Sequence, residues 1–222
     1  MAQQARSFDQ EIFERVHLDY LLFLPQDYGT HSGYNWPFIL FLHGMGERGD
    51  ELERIKKHGL PKILEQHEDF PFVVVSPQCP ADQLWTSLTG ALNALLDEVI
   101  AAHAIDTSRI YLTGLSMGGY GTWHLAVQYS ERFAAVAPIC GGGMGPLGYP
   151  QRVCALKDVP VWAFHGAQDR TVPLAESADL VSTLRECGGN VRFTIYPDAA
   201  HDSWTRTYEN ASLYEWFMSH TK

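Results

Sequence analysis

The chain has few of the features that mark a metal, membrane or nucleic-acid protein. Its four cysteines, Cys79, Cys140, Cys154 and Cys187, show no C-x-x-C spacing and no short disulfide framework. They read as buried thiols in a reducing compartment, and a zinc site is not expected. Basic residues are scarce: 16 Lys and Arg stand against 26 Asp and Glu, a formal net charge of −10. With no basic cluster to offset that field, a nucleic-acid or anionic-membrane partner is not expected. Nowhere do eighteen apolar residues run together, and Met1 to Asp9 has no apolar stretch behind a basic end. The expectation is a cytoplasmic protein without stable membrane association. Internal repeats, low-complexity tracts and long charge blocks are also missing. What remains is 222 residues with 45% hydrophobic side chains, enough for one large core, so residues 1–222 are expected to form a single α/β domain.

The most informative stretch is Ile110-Tyr111-Leu112-Thr113-Gly114-Leu115-Ser116-Met117-Gly118-Gly119-Tyr120-Gly121. It reads as a strand, a sharp turn and a helix start. Gly114-x-Ser116-x-Gly118 is the pattern of a nucleophile elbow, which pushes a serine hydroxyl out of a turn too tight for a Cβ two positions to either side. The helix N-terminus behind it offers free N–H groups to negative charge.

Strand-like runs alternate with helical ones elsewhere. Residues 17–24 are β-rich and stop at Pro25, as an edge strand would. Phe38–Leu42 and Phe72–Val75 read as strands buried on both faces. Leu92, Leu95, Leu96, Val99 and Ile100 recur at helical spacing, and Asp106-Thr107-Ser108 reads as a turn into the elbow strand. Later strands are expected at 133–138, 161–166 and 191–196, with one helix opened by Pro173 and closed by Gly188 and another over 208–220. This alternation predicts a doubly wound, mostly parallel sheet flanked by helices, with ligands outside the carboxyl ends of the strands. The elbow, the turn at 43–46 and the loops after Phe164 and Tyr196 all fall on that edge.

A serine hydroxyl needs a general base, itself oriented by a carboxylate. In chains with this elbow the order is serine, acid, histidine, with the acid after a late strand and the histidine before the last helix. Asp169 and His201 hold those places. His43 and His165, beside glycines at strand ends, are competing bases; Asp198 and Asp202, flanking His201, are competing acids. The lone His17, His31, His58, His67, His103, His124 and His220 read as structural or exposed. Two N–H donors are needed for an oxyanion. Met117, after the serine, is one; Met45 in His43-Gly44-Met45-Gly46 is the other, with Gly44 as the alternative. Trp85 and Trp204 are candidate pocket walls, with core packing as the alternative for each.

Taken together, Leu42 to Asp50, Ser76-Pro77-Gln78-Cys79, Gly114 to Trp123, His165 to Asp169 and His201-Asp202-Ser203-Trp204 resemble the α/β-hydrolase superfamily. They look most like its small predicted peptidases and esterases, near the polyhydroxybutyrate-depolymerase-like, feruloyl-esterase-like and phospholipase/carboxylesterase branches. The resemblance runs from about Tyr20 onward. It implies a triad of Ser116, Asp169 and His201, and a largely structural Glu47-Arg48-Gly49 turn with Glu47 near the site. Lipases of the superfamily usually insert a cap after the strand behind the elbow helix. Here only Gly141 to Pro160 is available, too short for a helical cap, so an open site is expected. The expected activity is serine carboxylic-ester hydrolysis of short-acyl or aryl esters through an acyl-enzyme, without cofactor or metal. The alternatives are a serine peptidase and a non-catalytic ligand-binding protein on the same fold.

Overall fold

A computed structural model describes residues 15–30, 33–67, 69–143 and 149–222. The described strands are β1 (Tyr20–Phe23), β2 (Trp36–Leu42), β3 (Val73–Pro77), β4 (Ile105–Leu115), β5 (Ala135–Ile139), β6 (Val161–Gly166) and β7 (Val191–Tyr196). They form one seven-stranded sheet in the order β1-β3-β2-β4-β5-β6-β7, parallel except for β1, which pairs antiparallel with β3 at the edge. The helices are α1 (Gly59–Leu64), α2 (Thr89–Ala102), α3 (Met117–Gln128), α4 (Tyr149–Arg152), α5 (Leu174–Glu186), α6 (Trp204–Tyr208) and α7 (Ala211–Met218).

The period of two along a strand divides the core in two. Phe38, Leu40 and Leu42 of β2 face one side, with Leu92 and Leu96 of α2, Trp123 of α3 and Leu184 of α5. Ile39 and Phe41 face the other, with Leu60 of α1 and Leu213 and Phe217 of α7. Both faces are covered, which is why β2 is an unbroken apolar run. Register carries the carboxyl ends to one edge: Gly114 of β4 pairs with Leu42 and Pro138, and Gly166 of β6 with Tyr196 of β7.

Three local expectations are corrected. Residues 106–108 are extended, because β4 starts at Ile105; the Asp106 carboxylate accepts from the Ser108 amide and hydroxyl without turning the chain. The last helix is two, since Asn210 caps a new start by accepting from the Ser212 amide at 3.1 Å. Cys154 and Cys187, expected as thiols, are joined in a disulfide with Cα atoms 5.6 Å apart, within the usual range. Cys79 and Cys140 are free and buried, as expected.

Candidate active site

Ser116 links β4 to α3 with φ 54°, a left-handed value that a non-glycine residue holds only under constraint. Its amide donates to the Ile139 carbonyl at 3.0 Å. A Cβ on Gly118 would collide with the Leu42 carbonyl, and one on Gly114 with the Gly118 carbonyl. The elbow glycines are therefore required by backbone packed against backbone.

Three side chains on separate loops meet at the serine. Ser116 Oγ lies 2.9 Å from His201 Nε2, and His201 Nδ1 lies 2.7 Å from Asp169 Oδ2. Because a carboxylate only accepts, Nδ1 carries the proton and Nε2 faces the serine hydroxyl as a lone pair. Asp169 is completely buried at its side chain. Burial by itself would raise its pKa, but bonds from His201 and from the Val172 and Thr171 amides outweigh that and hold it below the ordinary carboxylate value. The amides reach Oδ1 at 2.9 and 2.8 Å.

The competing residues have other partners, although His165 Nε2 also lies 3.4 Å from Asp169 Oδ2. Asp198 makes a forked, exposed pair with Arg206, and Asp202 binds the Thr205 amide and hydroxyl. His165 is buried, with Nε2 donating to the Val172 carbonyl at 3.0 Å and Nδ1 2.8 Å from Ser177 Oγ, so it braces the Asp169 loop. His43 accepts from the Cys79 amide at Nε2 and donates from Nδ1 to the Gly44 carbonyl. Burial lowers its pKa to about 4, leaving it neutral. His31 lies outside the described residues.

Met45 and Met117 each open a short or long helix, so neither amide has an intrahelical carbonyl to bind. Both residues line, with Ser116 and His201, an apolar-walled cavity of about 470 Å³. The turn carrying Met45 is fastened from outside. The Gln78 side-chain NH2 donates to the Glu47 carbonyl, the Gly49 backbone amide to the Cys79 carbonyl, and the Arg48 guanidinium to the Gln83 carbonyl.

Trp85 is not a cavity wall. It is fully buried, its indole N–H donates to the His43 carbonyl at 2.9 Å, and its ring packs edge-on against the His43 imidazole. Its neighbours Leu84 and Thr86 line the cavity instead. Trp204 does line it, edge-on to both His201 and His58. Glu47 lines it as well, with only 7% of its side chain exposed. His58, read from sequence as a lone structural or exposed histidine, is a further cavity residue. Its place depends on α1 folding back over the sheet edge, and no local motif signals that. Among the described residues, none of 141–160 lines the cavity.

Comparison with known proteins agrees with this geometry. A family model described as phospholipase/carboxylesterase matches residues 66–215, well over half of the chain. The chain belongs to the phospholipase/carboxylesterase family. The fold is accordingly that of the α/β hydrolases. A bifunctional acetylxylan esterase/xylanase of Neocallimastix patriciarum is 28% identical over 82% of this chain and 26% of its own length. A poly(3-hydroxyoctanoate) depolymerase of Pseudomonas fluorescens is 29% identical over 65% of this chain and 60% of its own. A solved thermostable esterase superposes with a TM-score of 0.80 at 34% identity, over 93% of this chain and 60% of that one. The chain thus spans from about a quarter to three fifths of these relatives. Phospholipase/carboxylesterase members are hydrolases, and hydrolase chemistry is what the Ser116, His201 and Asp169 array can perform. Among the described residues no cluster of three or more His, Cys, Asp or Glu could hold a metal ion, and no helix is long and apolar enough to cross a membrane.

Proposed function

We propose that the chain is a serine carboxylic-ester hydrolase, on the strength of one observation: the continuous hydrogen-bonded series from Ser116 Oγ through His201 to buried Asp169. His201 Nε2 takes the hydroxyl proton as Oγ attacks the ester carbonyl carbon. The oxygen that becomes negative is stabilised by the Met45 and Met117 amides. Collapse breaks the bond to the alcohol, which leaves with the proton held on His201. Water then repeats the sequence against the acyl-enzyme, releasing the acid and restoring the serine. Asp169 keeps the imidazole in the productive tautomer and balances its transient positive charge.

The cavity of about 470 Å³ holds a compact ester within its apolar walls, and none of the described residues of 141–160 extends those walls outward. Each further buried methylene adds about 0.8 kcal/mol only where an apolar wall receives it. Acetate to butyrate or small aryl esters are therefore the expected substrates, with kcat/KM falling beyond about eight carbons. Esterases acting on acetylxylan and feruloyl groups among the relatives are consistent with this class. Peptide hydrolysis is the lesser reading: an acylamino-acid-releasing enzyme of Oryza sativa is 26% identical over only 48% of this chain and 19% of its own length, and the solved acylaminoacyl peptidase, at 18% identity, shares the fold. One continuous sheet supports a single domain over the described residues. The Cys154–Cys187 disulfide weighs against the expected cytoplasmic setting, because such bonds persist in oxidising compartments. The test is labelling by a fluorophosphonate together with turnover of p-nitrophenyl acetate and butyrate beside a peptide anilide. Label on Ser116 and ester turnover support the reading; label elsewhere, or none, removes it.

A further inference from the structure

Oxidisable sulfur is unevenly placed in this chain. Cys154 and Cys187 are joined in a disulfide, and Cys79 and Cys140 are fully buried free thiols. Burial pushes the pKa of both free thiols up to about 12, so neither supplies the thiolate on which cysteine oxidation depends. A methionine thioether needs no deprotonation to react, and access decides which one an oxidant reaches. Met117, directly after the serine, is 6% exposed, whereas Met45 at 53% is the most exposed large hydrophobic side chain among the described residues. Met45 also stands at the chemistry. It opens the turn Met45–Glu47 and lines the cavity with Ser116 and His201. Met218, the other exposed methionine among the described residues, ends α7 and does not line that cavity.

We propose that Met45 is an oxidation site, at which a hydroperoxide converts the thioether to the sulfoxide and thereby weakens the binding of substrate in the cavity. The inference rests on the hydrolase reading and adds a modification to that same site. In the step, a sulfur lone pair attacks the terminal peroxide oxygen, and an S–O bond forms as the O–O bond breaks. The proton on the transferred oxygen passes to the departing one, which leaves as water or an alcohol. Sulfur gives up an electron pair and the peroxide accepts it. The sulfoxide is a strong dipole with an oxygen that only accepts, set in a wall where Leu84, Leu115 and Val172 have nothing to donate from their side chains. An acyl chain seated against it strips water from that oxygen without replacing the lost hydrogen bond, and a longer chain strips more. The backbone amide of Met45 is chemically unchanged by the step. The loss therefore falls on binding more than on turnover of bound ester. The Cys154–Cys187 bond is in keeping with exposure to oxidants, because disulfides persist in oxidising settings.

The experiment treats the native protein, Met45→Leu and Met218→Leu with hydrogen peroxide. Each is followed by peptide mass mapping and by kcat/KM for p-nitrophenyl butyrate and acetate. In the native protein, an added oxygen at Met45 is expected to accompany a loss of about tenfold in kcat/KM for the butyrate, carried mainly by KM and smaller for the acetate. Met218→Leu loses as much as the native protein. Met45→Leu, whatever its starting rate, keeps that rate after peroxide even where Met218 has gained oxygen. Sulfoxide reductases for both epimers, with a dithiol reductant, restore the native rate, whereas the reductant alone, which opens the disulfide and leaves the sulfoxide, does not. Ser116→Ala, read as Kd for the butyrate ester, loses affinity on oxidation to the same extent. If no ester is turned over but that Kd still shifts with oxygen at Met45, the hydrolase reading fails and the oxidation site stands. Oxygen on Met117 before Met45, a loss that tracks oxygen on any other residue, or an oxidised Met45 with kcat/KM and Kd unchanged overturns the proposal.

Discussion

Ser116 and His201 reach the same cavity from regions built by different means. The serine stands between β4 and α3, in the middle of the sheet, where glycines let backbone touch backbone and the Leu42 carbonyl sits where a Cβ of Gly118 would be. The histidine stands in a loop after β7, the edge strand, whose residues are half-buried or exposed. That loop is tied down by exposed side chains, Asp198 to Arg206 and Asp202 to Thr205, and by the Gln168 backbone amide donating to the Ala199 carbonyl. Ser116 is held by close backbone approaches on both sides of its turn, whereas His201 has one such approach, Gly166 against the Ala199 and Ala200 carbonyls, supplemented by exposed and replaceable side-chain contacts and by its bond to Asp169.

Substitutions should expose this difference. The largest effect is expected at the packed side: Gly118→Ala forces a methyl into the Leu42 backbone and should cost more than about 4 kcal/mol, seen as loss of the cooperative melting transition. If Gly118→Ala melts like the native protein, the elbow is not held by close packing.

Next come the proposed reacting groups, which separate activity from stability. Ser116→Ala should abolish ester turnover with little change in melting midpoint. His201→Ala and Asp169→Asn should each lower kcat by about 10³-fold or more. Single-turnover assays beside thermal melts check both halves of the statement.

A smaller effect marks the packed side by its response to pH. His43 titrates near 4 when folded, against an ordinary value of 6.5. Between these limits the unfolded chain binds a proton that the folded chain refuses, so stability rises with pH. It is complete above about pH 6.5 and is lost as the pH falls toward 4, by about 3 kcal/mol over that interval. Urea titrations from pH 7 to 4 should show this slope, reduced in His43→Gln.

On the side of the base, the disulfide braces α5, whose start follows the Asp169 loop and whose C-cap is Cys187. Cys154→Ser with Cys187→Ser should lower stability by about 2–4 kcal/mol with kcat nearly kept. The denatured, unreduced protein should titrate two thiols, where four would show that the bond does not form. Smallest of all is Asp198→Asn. The Asp198–Arg206 pair is exposed, and its loss should leave kcat/KM unchanged within error.

How much of this was legible in the sequence follows the same division. β6 and β7 run over the expected residues, 161–166 and 191–196, because turn residues bound them and their patterns are strong. Ser116, Asp169 and His201, which the structure joins in one hydrogen-bonded series, were readable from their order along the chain. What could not be read depends on contacts between distant residues. Trp85 looks like any loop aromatic until its N–H meets the carbonyl of His43, and Glu47 has no visible partner until α1 brings His58 to it. Cys154 and Cys187 are separated by 33 residues, with nothing local to pair them. Residues 106–108 misled for a local reason. Asp, Thr and Ser are turn formers, and here the neighbouring strand outweighs that preference.

The excursion that carries Met45, Glu47, His58 and α1 leaves the sheet at the end of β2 and rejoins it at β3, and these two strands are hydrogen-bonded neighbours. Its entry and exit are thus fixed by the sheet, independently of what lies between. Drift in residues 50–64 can reshape the wall facing a substrate without disturbing the crossover that delivers Ser116. In a lineage of such chains, new preferences are cheapest to acquire there, while the machinery of bond breaking stays under a separate and stricter constraint.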